Sequence, residues 1–295
     1  MIAGRRPVQL WSSVPPHRFY SGQGVQGIQA FSHRFPKAGT LLIAGVHVAL
    51  GSWLEYADID RVIVLYNLVR HEQLFAMLQS IRDMTNCEPE VVFVSRALQL
   101  SAGLPGRVLN SFIDIEPFTQ AVRPFAGSRP FTVGRISRDI PEKHHRQDPS
   151  LYRMLAGQGI HVKVMGGTCL AAELHGVDGV ELMPSGSQNA ADFHHSLDVF
   201  FYRPGAWVEA YGRVVLEAMA SGLPVVAGDT GGYAEVIRPG VTGWLVKSQE
   251  EAYEALMALF RQPLLAQQTG MRAREEAVAR HGMTGQNALI ENWLL

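Results

Sequence analysis

Cysteine is scarce: Cys87 and Cys169 are the only two in 295 residues. They lie far apart and follow no CxxC or zinc spacing, so a disulfide framework and a structural metal are both excluded as expectations. Such sparing use fits a reducing compartment, and a cytoplasmic protein is expected. No charge is in surplus either. Lysine plus arginine total 26 against 27 aspartate plus glutamate, a net charge of -1, which speaks against a nucleic-acid binder with its basic face.

Long apolar runs are missing too. No stretch approaches the roughly 20 apolar residues that span a bilayer. The start, MIAGRRPVQLWSSVPPHRFY, puts prolines and polar residues where a signal peptide carries an apolar core. A soluble chain is expected, with peripheral membrane attachment at the inner face left open because the acceptor of any reaction could be a lipid. There is no internal repeat, no low-complexity tract and no G-x-S-x-G nucleophile elbow.

What remains is ordinary globular material, 47% apolar and 18% charged, enough for about two domains. Short apolar runs alternate with segments of helical period. RVIVLYNL (61–68) reads as a buried strand, and the following HEQLFAMLQSIRDM places Leu74, Phe75, Leu78 and Ile81 on one helical face. EVVFVS (90–95) and RVLNSFID (107–114) are further strand candidates. AVRPFAGSRP (121–130) is rich in Pro, Gly and Arg and reads as a linker. Beyond it FTVGRIS, HVKVMG, VELMPS, DVFFYRP, LPVVAGD and TGWLV are six strand candidates with helical segments between them, and from about Glu250 onward helices are expected. Such alternation implies parallel sheets built from right-handed crossovers. SGQGVQGIQAF (21–31) is glycine-rich but follows prolines rather than an apolar run, so a loop leading into a helix is expected there.

The chemistry concentrates in FFYRPGAWVEAYGRVVLEAMASGLPVVAGDTGGYAEVIRPGVTGWLV (200–246). A helix from about Tyr211 to Ser221 is apolar nearly all round and should be buried. Glu217 lies in its middle, where a carboxylate must be paired, protonated or at a cavity. Arg213, one turn earlier, is the local partner. Glu209 stands just before the helix, whose free N–H groups and positive dipole end suit a phosphate. Two carboxylates flanking an anion site suit the hydroxyls of a sugar and a ribose.

Glu209 and Glu217 thus form an E-x7-E arrangement, continued by EAMASGLPVVAGDTGGYAEVI. This closely resembles the signature of the retaining GT-B glycosyltransferases known as glycosyl transferases group 1. The resemblance implies an α/β GT-B fold of two Rossmann-like, doubly wound domains facing a cleft, here with a reduced N-terminal domain. It further implies that Glu217 binds the nucleotide's ribose and Glu209 the transferred sugar. Tyr211, Gly212, Arg213 and Val214 would hold the diphosphate and sugar at the helix start, with Gly231 and Gly232 letting the neighbouring loop come close. TVGRISRDIPEKHH (132–145) resembles the family's G-R-x-x-x-x-K segment, so Arg135 would grip the diphosphate. Ile140 occupies the usual lysine place; Lys143 is expected to be brought round by a longer loop, with Arg138 as the substitute. SGSQNA (185–190) falls where the family often keeps nucleobase contacts, and His47, after TLLIAGV, is the candidate for the family's N-domain histidine.

The expected organisation is a short acceptor-side domain over 1–122, a nucleotide-sugar domain over 123–275, and a C-terminal helix over 276–295 with the option of returning to the first domain. The expected activity is transfer of a hexosyl unit from a nucleoside-diphosphate sugar to a hydroxyl of a glycan, lipid-linked or small-molecule acceptor. No cofactor and no metal are expected: the pairs His144–His145 and His194–His195 are chain neighbours that point apart. Two alternatives stand beside it, a non-catalytic sugar-nucleotide-binding partner and an epimerase or phosphorylase on the same fold. A pyridoxal-phosphate phosphorylase would need a Schiff-base lysine, and Lys143, Lys163 and Lys247 offer no suitable helix-start setting.

Overall fold

The computed structural model describes residues 8–15, 20, 22–119 and 129–282. They fall into two compact units, Met1–Asn110 and Ser111–Leu295. Most of the segment read as a linker, and the tail from 283, lie outside the described residues.

In the first unit a small parallel pair, β1 (Trp11–Ser12) and β2 (Gln26–Gly27), precedes a parallel sheet of β3 (Ala38–Ala44), β4 (Asp58–Tyr66), β5 (Glu90–Phe93) and β6 (Arg107–Val108), in that spatial order. The described part of that segment, 22–31, supplies turns at Gly22 and Gly24, strand β2 and the start of a single 3-10 turn, not the expected helix. Helix α1 (His71–Met84) crosses from β4 to β5 and buries Leu74, Met77, Leu78 and Ile81. These follow the i, i+3, i+4, i+7 spacing of one face. Phe75, expected in that set, lies about 100° round the helix from Leu74 and is 45% exposed. The strand expected over 107–114 pairs only at Arg107–Val108, because beyond it the chain turns away and Ile113 N–H donates to the His281 carbonyl, 3.2 Å away.

The second unit contains all six expected strands: β7 (Thr132–Ile136), β8 (His161–Met165), β9 (Val180–Met183), β10 (Val199–Tyr202), β11 (Val225–Gly228) and β12 (Gly243–Val246). They are parallel and ordered β12-β11-β10-β7-β8-β9. Counted within the unit this is the doubly wound order 3-2-1-4-5-6. After α2 (Arg96–Ala102) in the first unit, helices α3 (Asp148–Ala156) and α7 (Gln249–Arg261) cover one face of this sheet through a core that includes Leu151, Leu155, Phe201, Val226 and Leu256, and the short α4 (Ala171–Leu174) lies between β8 and β9. On the other face, α5 (Ala190–His195) and α8 (Pro263–His281) pack on α6 (Arg213–Ala220). Helix α6 is shorter than the 211–221 expectation because Gly212 takes a left-handed conformation, φ +83°, and starts it late. The expected helix after Gly231 is a single 3-10 turn, Gly232–Glu235. Helix α8 runs unbroken through residue 276, so the boundary expected there falls inside a helix.

Candidate functional site

In a sheet of this order the strand direction of winding reverses between β7 and β10, and ligands bind outside the carboxyl ends of the strands at that point. Two loops leave the sheet there. One is 137–144, after β7; the other is 203–212, between β10 and α6. They are sutured together. Trp207 N–H donates to the Glu142 carbonyl at 3.0 Å. Gly205 packs so closely that a Cβ there would lie 2.2 Å from the His144 carbonyl oxygen.

Arg135, at the end of β7, is only 1% exposed. It was expected to grip a diphosphate, but its guanidinium donates inward, to the carbonyls of Lys143 and, at 2.9 Å, Arg203. Asp148, fully buried, lies 3.7 Å from it and accepts from Arg203 at 2.8 Å. Arg135 therefore braces both loops instead of facing outward. A buried ion such as this persists only when paired and hydrogen-bonded. The arrangement meets both conditions.

Lys143 is brought round as the longer loop requires, and its ammonium pairs with the Glu209 carboxylate. Both side chains are nearly buried, at 9% and 11% exposure. Burial lowers the lysine's pKa, with Glu209 opposing that shift. Tyr202 also donates to Glu209. Burial and the adjacent carboxylate push the Tyr202 pKa well up, so it remains a donor. Arg138 is exposed on the same side, its guanidinium 4.3 Å from the Trp207 ring centroid.

The start of α6 carries no side-chain cap. Its first N–H groups, at Arg213 and Val214, have no intrahelical acceptor by helix geometry. The Tyr211 side chain is buried, its hydroxyl 3.2 Å from His281 Nδ1, so this residue offers a ligand its backbone only. Arg213 is exposed and does not partner Glu217. The residue that approaches the Glu217 carboxylate is His194, with Nε2 4.0 Å away. Burial lowers the His194 pKa and keeps the ring neutral. Gly231 and Gly232 do permit a close approach: a Cβ on Gly231 would lie 2.9 Å from the Glu209 carbonyl oxygen, and Gly232 N–H donates to that oxygen at 3.1 Å. They hold the backbone of Glu209.

The structure thus gathers Lys143, Arg138, Glu209, Gly231, Gly232 and the α6 start around one switch point, with Glu217 deeper along α6. His47 is an exposed residue in the turn after β3 of the first unit. Among the described residues no three His, Cys, Asp or Glu side chains group as a metal site. Sequence reasoning missed Tyr202, Trp207 and His194. Tyr202 and Trp207 both shortly precede Glu209, a spacing that could have drawn notice. His194 is distant in sequence, and its pairing with His195 drew notice only as a metal candidate, not as a neighbour of Glu217.

Residues 130–276 match the family model of glycosyl transferases group 1. The D-inositol 3-phosphate glycosyltransferase of Nocardia farcinica is 29% identical over 177 residues, covering 55% of this chain and 39% of its own length. Its counterpart from Streptomyces griseus is 34% identical over 142 residues, covering 44% and 29%. The chain therefore spans well under half the length of these relatives. A GDP-mannose-dependent alpha-(1-6)-phosphatidylinositol monomannoside mannosyltransferase of Mycobacterium tuberculosis is 32% identical over 173 residues, 52% of this chain and 44% of its own. Among solved structures, a glycosyltransferase from Rickettsia africae superposes with a TM-score of 0.74 at 14% identity, over 99% of this chain and 90% of that one. Anabaena HepE in complex with UDP gives 0.68 at 18%, over 90% and 79%. At such identities these two show the fold, an α/β GT-B fold. Through residues 130–276 the chain belongs to the glycosyl transferases group 1 family.

Proposed function

We propose that the second unit binds a nucleoside-diphosphate sugar at the carboxyl ends of β7 and β10, and that the protein transfers the sugar to an acceptor hydroxyl. The observation that carries this reading is the placement of the Lys143–Glu209 pair beside the uncapped start of α6, at the switch point of the sheet. Glu217 takes the ribose hydroxyls, and Glu209 the hydroxyls of the transferred sugar. The α6 amides, Lys143 and Arg138 receive the diphosphate, while Arg135 acts through the loops it braces.

In the transition state negative charge grows on the leaving diphosphate. Fixed donors aimed at that charge are the main catalytic resource, and losing one costs about 3–4 kcal/mol. Retention of configuration fits a reaction in which a phosphate oxygen of the leaving group takes the acceptor's proton, so no protein base is assigned. Charge neutralisation by Lys143, Arg138 and the helix start makes a metal ion unnecessary. Relatives named for inositol phosphate and phosphatidylinositol monomannoside make polyols and their lipid conjugates the first acceptors to try. No helix among the described residues is long and apolar enough to cross a membrane.

The test is release of nucleoside diphosphate from UDP-glucose and GDP-mannose, with and without acceptor, by wild type and Glu209→Ala. Acceptor-dependent release lost in the variant supports transfer. Binding of a donor without release under any condition would favour a non-catalytic sugar-nucleotide-binding partner.

A further inference from the structure

Two cations at the mouth of the switch point, Arg138 and Lys143, repel each other, and that repulsion is one of the influences lowering the lysine's pKa. Something must keep them side by side before an anion arrives. Glu209 pairs with Lys143, but a carboxylate neutralises the charge it holds. Trp207 does not. Its ring centroid lies 4.3 Å from the Arg138 guanidinium carbon and 4.5 Å from the Lys143 ammonium. The negative face of an indole attracts cations within about 6 Å, more strongly than a phenol or phenyl ring does.

We propose that Trp207 is a positioning residue for the donor's diphosphate, holding the Arg138 guanidinium and the Glu209-paired Lys143 ammonium side by side at the carboxyl ends of β7 and β10. Trp207 is itself held from behind, by its N–H to the Glu142 carbonyl at 3.0 Å and by the tight packing of Gly205 on His144. The ring therefore sits on a fixed backbone between the two loops. An anion entering the site meets two cations whose side chains are already partly ordered, which lowers the entropy lost on binding. An aromatic face offers a phosphate no competing negative charge of its own and no covalent chemistry. Its role is geometric.

This inference rests on the donor-site reading above, and its test separates the two. Dissociation constants are measured by calorimetry for UDP and GDP and for uridine and guanosine, with wild type, Trp207→Phe and Trp207→Leu. The ratio of nucleoside to nucleotide constants isolates what the diphosphate contributes. In W207L that ratio should fall about tenfold, with nucleoside affinity unchanged, and in W207F it should fall less because a weaker π face remains. A merely structural role would lower the melting temperature or weaken nucleoside and nucleotide alike, leaving the ratio intact. An unchanged ratio in W207L overturns the inference while the donor site stands. Wild type that binds none of the four compounds overturns the donor-site reading and this inference with it. Should W207L not fold, the graded series Trp, Tyr, Phe carries the same test: a ratio that does not decline along it refutes the role.

Discussion

Replacing Gly212 by alanine perturbs the start of α6 and its contact with Tyr233. The residue has φ +83°, a conformation that costs an L-residue about 1–2 kcal/mol. Its new Cβ would lie 2.7 Å from Tyr233 Cδ1 and 3.2 Å from Tyr233 Cβ. Tyr233 is fully buried, so the ring has no room to retreat and overpacking adds about 1–3 kcal/mol. Together these predict about 2–5 kcal/mol of destabilisation, or roughly 5–15 °C in melting temperature for a unit of this size. The cheapest relief is a shift of the turn, which moves the amides proposed to hold the diphosphate. UDP or GDP affinity should then fall at least about tenfold, or 1.4 kcal/mol. Gly240→Ala is the matched control: φ is +72° and nothing lies within 4 Å of its Cβ, so it should show the strain of about 1–2 kcal/mol alone and bind nucleotide normally. Differential scanning calorimetry and titration calorimetry read both quantities. A Gly212→Ala protein that melts with Gly240→Ala and binds as wild type would refute the reasoning.

Other outcomes follow from the buried charges. Asp148→Ala strands Arg135 and Arg203 without their carboxylate and should cost about 3–5 kcal/mol in urea denaturation. Arg61→Ala in the first unit breaks a pair whose side chains are 30% and 41% exposed, and should cost under about 1 kcal/mol by the same measurement. Burial and the Arg135 charge hold the His144 pKa down at about 4, against 6.5 for a free histidine. Between those values the unfolded chain binds a proton that the folded one refuses. Stability should therefore fall as pH drops from 6.5 to 4, by about 3 kcal/mol from this residue, and His144→Gln should flatten that part of the profile.

The second unit was legible because its strands are short apolar runs separated by turn residues, and parallel strands buried on both faces leave that mark. Glu217 stood out as a carboxylate inside an apolar run, and Glu209 for its place just before the helix start. What could not be read was which partner each side chain takes. Arg135 matches a family position, yet the buried Asp148 and two carbonyls draw it inward, and that geometry arises from contacts far apart in sequence. Glu217 meets His194 rather than Arg213 because α5 packs beside α6, a tertiary fact invisible to helical spacing. In the first unit Phe75 misled through periodicity alone, since a residue one step off the buried face satisfies a loose count of apolar positions. The 107–114 run misled through composition: of its apolar residues only Ile113 is buried, after the chain has left the sheet, while Val108 and Phe112 are exposed.

The most direct measurement is a thermal-shift panel with UDP, GDP, ADP and dTDP, each with and without magnesium, on wild type and Glu217→Ala. A nucleotide present at 100 times its dissociation constant should stabilise wild type by about 2.7 kcal/mol. The account predicts at least one such responder, independent of magnesium, whose effect disappears in the folded variant. No response from wild type to any of the four, or an equal response from Glu217→Ala, would contradict it.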